Sequence, residues 1–162
     1  MAIELVKSAG ITAQDLNQSA NSYIQQGNVR SAVGTGAVSA TASIASIIRL
    51  ARIQSNARIT VASLFCTAIT SAAGDVGLYR TADDGGAVVD ADFFIAAQTL
   101  AAASPGINVI GGNALAPANR EKRLWEALGL TADPNVYYDV AVTLTAAATA
   151  LGTMGIELDW TI

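Results

Sequence analysis

Apolar and polar side chains alternate most sharply at the C-terminal end of the chain. Val140, Val142 and Leu144 alternate with Ala141, Thr143 and Thr145. After an Ala/Thr/Gly stretch, Ile156, Leu158, Trp160 and Ile162 alternate with Glu157, Asp159 and Thr161. A period of two marks strands with one face buried and one in water. Two such runs in succession predict an antiparallel hairpin. Its apolar row, Trp160 and Ile162 included, would close a core, and Thr143, Thr145, Glu157, Asp159 and Thr161 would form one outward row. Upstream, residues 47–53 put Ile48, Leu50 and Arg52 on one face and Ile47, Arg49, Ala51 and Ile53 on the other. Ile44, Ile47, Ile48 and Ala51 also fall at helical spacing, but the β-branched residues and the turn chemistry of residues 54–57 favour a strand. Residues 58–67 follow, with Ile59, Val61, Ser63, Phe65 and Thr67 on one side and Thr60, Ala62, Leu64 and Cys66 on the other. In residues 75–80, Val76 and Leu78 share a face.

Turn residues punctuate these runs. Thr81-Ala82-Asp83-Asp84-Gly85-Gly86 combines Asp, which caps its own backbone, with Gly, which accepts positive φ. Asp90 and Asp92 then predict the cap of a short helix through Phe93, Phe94, Ala97 and Leu100, ended by Pro105-Gly106. A short strand is expected over residues 107–110, broken by Gly111-Gly112. Residues 118–128 read as a second helix capped by Asn119, with Leu124 and Leu128 one turn apart and Gly129 as its stop. Residues 33–46 are small and fit strands of little bulk or a loop. Residues 1–6 make a short strand or an arm, and Thr12-Ala13-Gln14-Asp15 resembles a capping box. Asn, Gln, Ser and Gly dominate residues 17–28, which predicts an extended arm. Tyr23 and Ile24 are its apolar exceptions, either a small tuck onto the body, the favoured reading, or anchors for a neighbour, and with Arg30 they are the candidate partner-binding residues. The division expected is an arm at residues 1–30 and one domain over residues 31–162. Many short strands with two helical insertions argue for an all-β antiparallel sandwich, most simply a jelly roll.

Composition narrows the chemistry. The chain has 162 residues, a net charge of −4 and only 14% charged side chains. An acidic balance argues against a nucleic-acid surface, which needs clustered Lys and Arg. Uncharged residues 93–119 are interrupted by Gln98, Ser104, Pro105, Asn108, Asn113 and Pro117, a poor membrane span. The absence of histidine removes Ser/His and Cys/His triads and imidazole metal sites. Cys66 is the lone cysteine and reads as a buried hydrophobe. Asp83, Asp84, Asp90 and Asp92 are the only acidic density; they lack the spacing and closing Glu of a calcium loop and suit turn and helix capping. Gly34-Thr35-Gly36 and Gly111-Gly112 lack the context of a phosphate loop. The run Arg120-Glu121-Lys122-Arg123 reads as the solvated face of its helix. Trp125 and Trp160 could stack a sugar ring, with core packing favoured for Trp160. No cofactor and no enzymatic activity are expected.

Three blocks carry a resemblance: RLARIQSNARITVASL (residues 49–64), DVGLYRTADDGGAVVDADFF (75–94) and RLWEALGLTADPNVYYDVAVTLTAAATALGTMGIELDW (123–160). Together they resemble small virion proteins of tailed bacteriophages, similar in kind to capsid decoration, or cement, proteins. The resemblance implies a jelly-roll-like sandwich on the outer capsid surface that binds the major capsid protein and itself, as a dimer or trimer. It transfers no functional residue. The rival reading is a carbohydrate-binding sandwich or a head spike or fibre module that touches the host surface, which requires at least two aromatics exposed on one face.

Overall fold

The computed structural model describes residues 29–110 and 115–162. The readings at residues 1–6, 12–15 and 17–28, with Tyr23 and Ile24, and at Gly111-Gly112 lie outside the described residues. Eight strands are present: β1 (Arg30–Val38), β2 (Ile47–Gln54), β3 (Arg58–Cys66), β4 (Ala73–Arg80), β5 (Val88–Thr99), β6 (Ser104–Asn108), β7 (Tyr137–Ala146) and β8 (Gly152–Thr161). They form two four-stranded antiparallel sheets, in the orders β1-β8-β3-β6 and β2-β7-β4-β5. Among the described residues, β4 and β5 are the one pair adjacent in both sequence and sheet. All other connections cross from one sheet to the other. This interleaving of two Greek keys is the jelly roll.

The closing hairpin expected from the sequence is therefore absent. β7 and β8 lie in different sheets, and β8 pairs with β1 and β3 instead. The connection between β7 and β8 is tied down along the way, where the Ala148 N–H donates to the Ala42 carbonyl and the Thr149 N–H to that of Thr70. A period of two tells which side chains are buried, not which strand lies alongside. The expected outward row splits accordingly. Thr143 and Thr145 belong to one sheet, Glu157 and Asp159 to the other, and Thr161 is buried.

The inner faces meet in a single core. Val76, Leu78, Phe93, Phe94, Tyr138, Val140, Val142 and Leu144 come from one sheet, and Ile59, Ala62, Leu64, Met154, Ile156 and Leu158 from the other. Each large side chain buried there contributes about 1.5–3 kcal/mol of transfer free energy. Phe93 and Phe94 meet edge to face, 5.2 Å between centroids. Trp160 packs against this core only half-buried, while Ile162 lies beyond β8 and is exposed.

Three strands depart from simple alternation. The register of β2 against β7 shifts between Arg49 and Ala51, that of β3 against β8 between Ile59 and Val61, and β5 against β4 shifts three times. Each extra residue in a bulge changes which face the following side chains point to. Ile59 is consequently buried in the row of Ala62, Leu64 and Cys66, while Val61 faces out with Ser63. Residues 90–99 belong to β5 rather than to a helix, and its register shifts let Phe93 and Phe94 be buried together. The second expected helix contracts to a 3₁₀ turn (Pro117–Asn119) and a four-residue helix, α1 (Leu124–Ala127). Asn119 does not cap it. The Glu126 carboxylate accepts the Arg123 N–H at 2.8 Å, and Gly129 ends it at φ 75°. Pro105-Gly106 lies within β6 rather than ending an element.

At one edge the sandwich is unusually thin. Ala32, Gly34, Gly36 and Val38 face inward from β1, and a methyl on Gly34 would run into the Leu50 carbonyl of β2. Gly34-Thr35-Gly36 is thus a strand whose missing side chains let the two sheets touch backbone to backbone.

Candidate functional site

The most organised polar cluster lies on the outer face of the β2-β7-β4-β5 sheet. Asp139 of β7 projects outward, opposite in register to Arg52 on β2 and Tyr79 on β4. Its side chain is only 7% exposed because two guanidinium groups close over it. Arg52 Nε donates to Asp139 Oδ1 at 2.7 Å, and Arg49 Nη1 to Oδ2 at 3.0 Å. Arg49 also donates to the carbonyls of Arg80 (2.8 Å) and Gly86 (2.9 Å), and its guanidinium lies 5.5 Å from the centroid of Tyr79. The Tyr79 and Thr143 hydroxyls are hydrogen-bonded, which lays the buried ring along the sheet. The Asp139 carboxylate holds the Arg52 guanidinium above its ordinary pKa, first through the hydrogen bond and then through its charge.

The bulge in β2 creates this clamp. Arg49 and Arg52 are three residues apart, which simple alternation assigns to opposite faces; the extra residue between Arg49 and Ala51 brings both outward. The sequence carried the signal in the mixed polarity of residues 47–53, and the matching acid, Asp139, sits 87 residues from Arg52. A shallow cleft of about 520 Å³ is lined by Arg49, Arg52, Ala82 and Asp139. Two cations share the Asp139 carboxylate, and Asp83 acts on Arg52 from the adjoining turn, so the charges of the cluster nearly balance.

The outer face of the other sheet carries few charges, Glu157 and Asp159 among them. Val33, Thr35 and Ala37 of β1 are exposed beside Glu157, Gly155 and Thr153 of β8, with Val61 and Ser63 of β3 beyond. At its far side a hollow of about 300 Å³ is lined by Thr60, Ser63, Asn108 and Arg120, and Arg120 Nη2 donates to the Thr60 carbonyl at 3.3 Å.

The residues singled out in the sequence fall as follows. Arg30 is exposed at the start of β1, opposite Trp160 in register. Asp83 and Asp84 occupy the turn before Gly85 and Gly86, both at positive φ, and Asp84 pairs with Arg80 at 2.9 Å. Asp90 and Asp92 lie on β5. Burial, reinforced by a hydrogen bond with Asp92, raises the Asp90 carboxyl above its usual range. Among the described residues, no three metal-ligating side chains cluster. Cys66 is buried, burial pushes its thiol up, and Sγ lies 3.6 Å from the Ala102 carbonyl. Lys122 and Glu121 are exposed, whereas Arg120 and Arg123 are half-buried. Trp125 and Trp160 are both half-buried with their indole nitrogens enclosed; among the described residues the large exposed aromatic is Tyr137. No helix among them is long and apolar enough to cross a membrane.

The fold and these open faces define a jelly-roll sandwich with broad, shallow polar surfaces. No protein family and no curated protein matches the chain. Among solved structures, a chain of the cyanophage Pam1 capsid asymmetric unit shares its fold, with a TM-score of 0.53 at 14% identity over 84% of this chain and 86% of that one.

Proposed function

We propose that the protein is a non-enzymatic structural component of a phage virion that decorates the outer capsid surface by binding the major capsid protein and itself. The observation that carries this reading is the shared sandwich, which spans most of both this chain and a chain of a phage capsid. The surface supports it as well. A shallow polar cleft on one face and a small-residue face with few charges on the other are suited to broad contacts with a repetitive lattice, where many modest contacts per copy add up to avidity. In this reading Tyr23 and Ile24, with Arg30 at the start of β1, contact a neighbouring subunit.

The test is to mix the purified protein with shells lacking it, then to measure co-sedimentation and resistance of the shells to heat and osmotic shock. Saturable binding with raised resistance is expected, at a copy number on the scale of the shell's own subunits. A protein that neither binds nor protects shells has another role, and a copy number far below the subunit count reassigns it to a connector or spike.

A further inference from the structure

Four strands form the edges of the two sheets, and three of them carry devices that discourage pairing with another chain. β2 has a bulge and two outward arginines, Arg49 and Arg52. β5 shifts register repeatedly and carries Asp90 and Asp92. β6 is only five residues long, includes Pro105, and shifts register against β3. Bulges, charges, proline and short length are the means by which edges are kept unpaired. β1 has none of them apart from Arg30 at its first position. Its nine residues pair with β8 in unbroken register, and its residues 31–38 contain no charge and no proline. Val33 is 64% exposed, and among the described residues the backbone of β1 makes no hydrogen bond outside its ladder with β8.

We infer that the open edge of β1 pairs antiparallel with β1 of a second copy, fusing two four-stranded sheets into one of eight strands across a two-fold axis. This deepens the self-association in the proposed function and rests on that reading. The charge distribution favours this occupant. In an antiparallel pair centred near Gly34, residues 31–38 set no like charges side by side, and the single charge of the strand, Arg30, falls at opposite ends of the dimer. Val33 and Thr35 of one copy then cover those of the other. Strand addition satisfies the free backbone groups of both edges at once.

Sedimentation equilibrium of the full chain tests this, with Thr35→Lys and Thr35→Glu as variants. Thr35 is exposed and faces Gly155, so neither change disturbs the core; if one of them melts early, Val33→Lys and Val33→Glu, exposed on the same face and equally near the two-fold axis, replace the pair. At roughly 100 µM, where an interface of micromolar affinity is well populated, the wild type is expected to sediment as a dimer and each variant as a monomer. An equimolar mixture of the Lys and Glu variants regains the dimer, because opposite charges then meet diagonally across the two-fold axis. A monomeric wild type overturns the inference. So does a dimer untouched by both variants, or one that vanishes only when residues 1–28 are removed, which assigns the edge to the N-terminal segment. Shell binding is scored separately: a dimer that ignores shells removes the proposed function and keeps the edge pairing, and a monomeric wild type that binds shells does the reverse.

Discussion

Replacing Gly34 by alanine tests how the two sheets approach each other at their thin edge. The added methyl has no room, because it lands inside the van der Waals surface of the Leu50 carbonyl oxygen, a backbone atom that cannot rotate away. Strand β1 must retreat from β2 by roughly 1.5 Å, more than enough to forfeit most of the dispersion contacts along that seam. Overpacking of this kind costs about 1–3 kcal/mol and occasionally more, and a backbone obstacle belongs at the upper end. Reduced entropy of the unfolded chain returns about 0.4–1 kcal/mol, leaving a net loss near 2 kcal/mol. Gly36→Ala is the graded control, since its methyl meets the movable Ile48 Cγ2 at 2.5 Å, and a net loss near 1 kcal/mol is expected. Thr35→Ala, exposed between them, should stay within about 0.5 kcal/mol of wild type. Urea unfolding followed by tryptophan fluorescence measures all three. A Gly34→Ala protein as stable as wild type, or one less affected than Gly36→Ala, would refute the backbone contact.

Asp139→Asn removes the charge that both guanidiniums enclose and should cost about 2 kcal/mol in urea unfolding; equal stability would mean the clamp is ornamental. Asp90 titrates with the opposite sign to a salt-bridged acid. Its folded pKa is raised, so the native state holds the proton more tightly and stability falls as pH rises through about 4 and upward to the folded value. Asp90→Asn should therefore flatten the melting temperature against pH across that window and raise it at neutral pH, whereas an unchanged profile would show that burial there is inconsequential. The Cys66 thiol, buried and with its pKa pushed up, should react with a thiol reagent only as fast as the protein opens, so that labelling tracks unfolding in urea; fast labelling in buffer would place it at the surface.

The class of fold was legible because burial follows alternation: Val140, Val142, Leu144, Ile156 and Leu158 are all inside, as their period requires. Pairing was not legible, since β7 and β8 are both half-buried strands whose partners are chosen by the crossing of loops between sheets. Faces were misread wherever a bulge intervened. Ile59 and Val61 were placed together and lie on opposite sides, and Phe93 and Phe94, adjacent in sequence, are both buried in a strand where alternation would expose one. Their adjacency, with Asp92 before them, imitated a helix start. The Arg49–Arg52–Asp139 cluster was hidden for the same reason, together with the 87-residue separation of Arg52 from its acid.

The bulge in β2 also constrains how the chain can vary in length. With the extra residue, the core receives Ile48, Leu50 and Ile53 while both arginines face Asp139. Deleting Leu50 or Ala51 would leave the arginines two apart, a spacing that strict alternation puts on one face, so the clamp would outlast the bulge, whereas straightening the strand at the present spacing would turn one guanidinium toward the core. The spacing Arg-x-x-Arg and the bulge therefore go together, each making sense only with the other. Natural relatives that preserve the clamp should carry either Arg-x-x-Arg with the bulge or Arg-x-Arg without it.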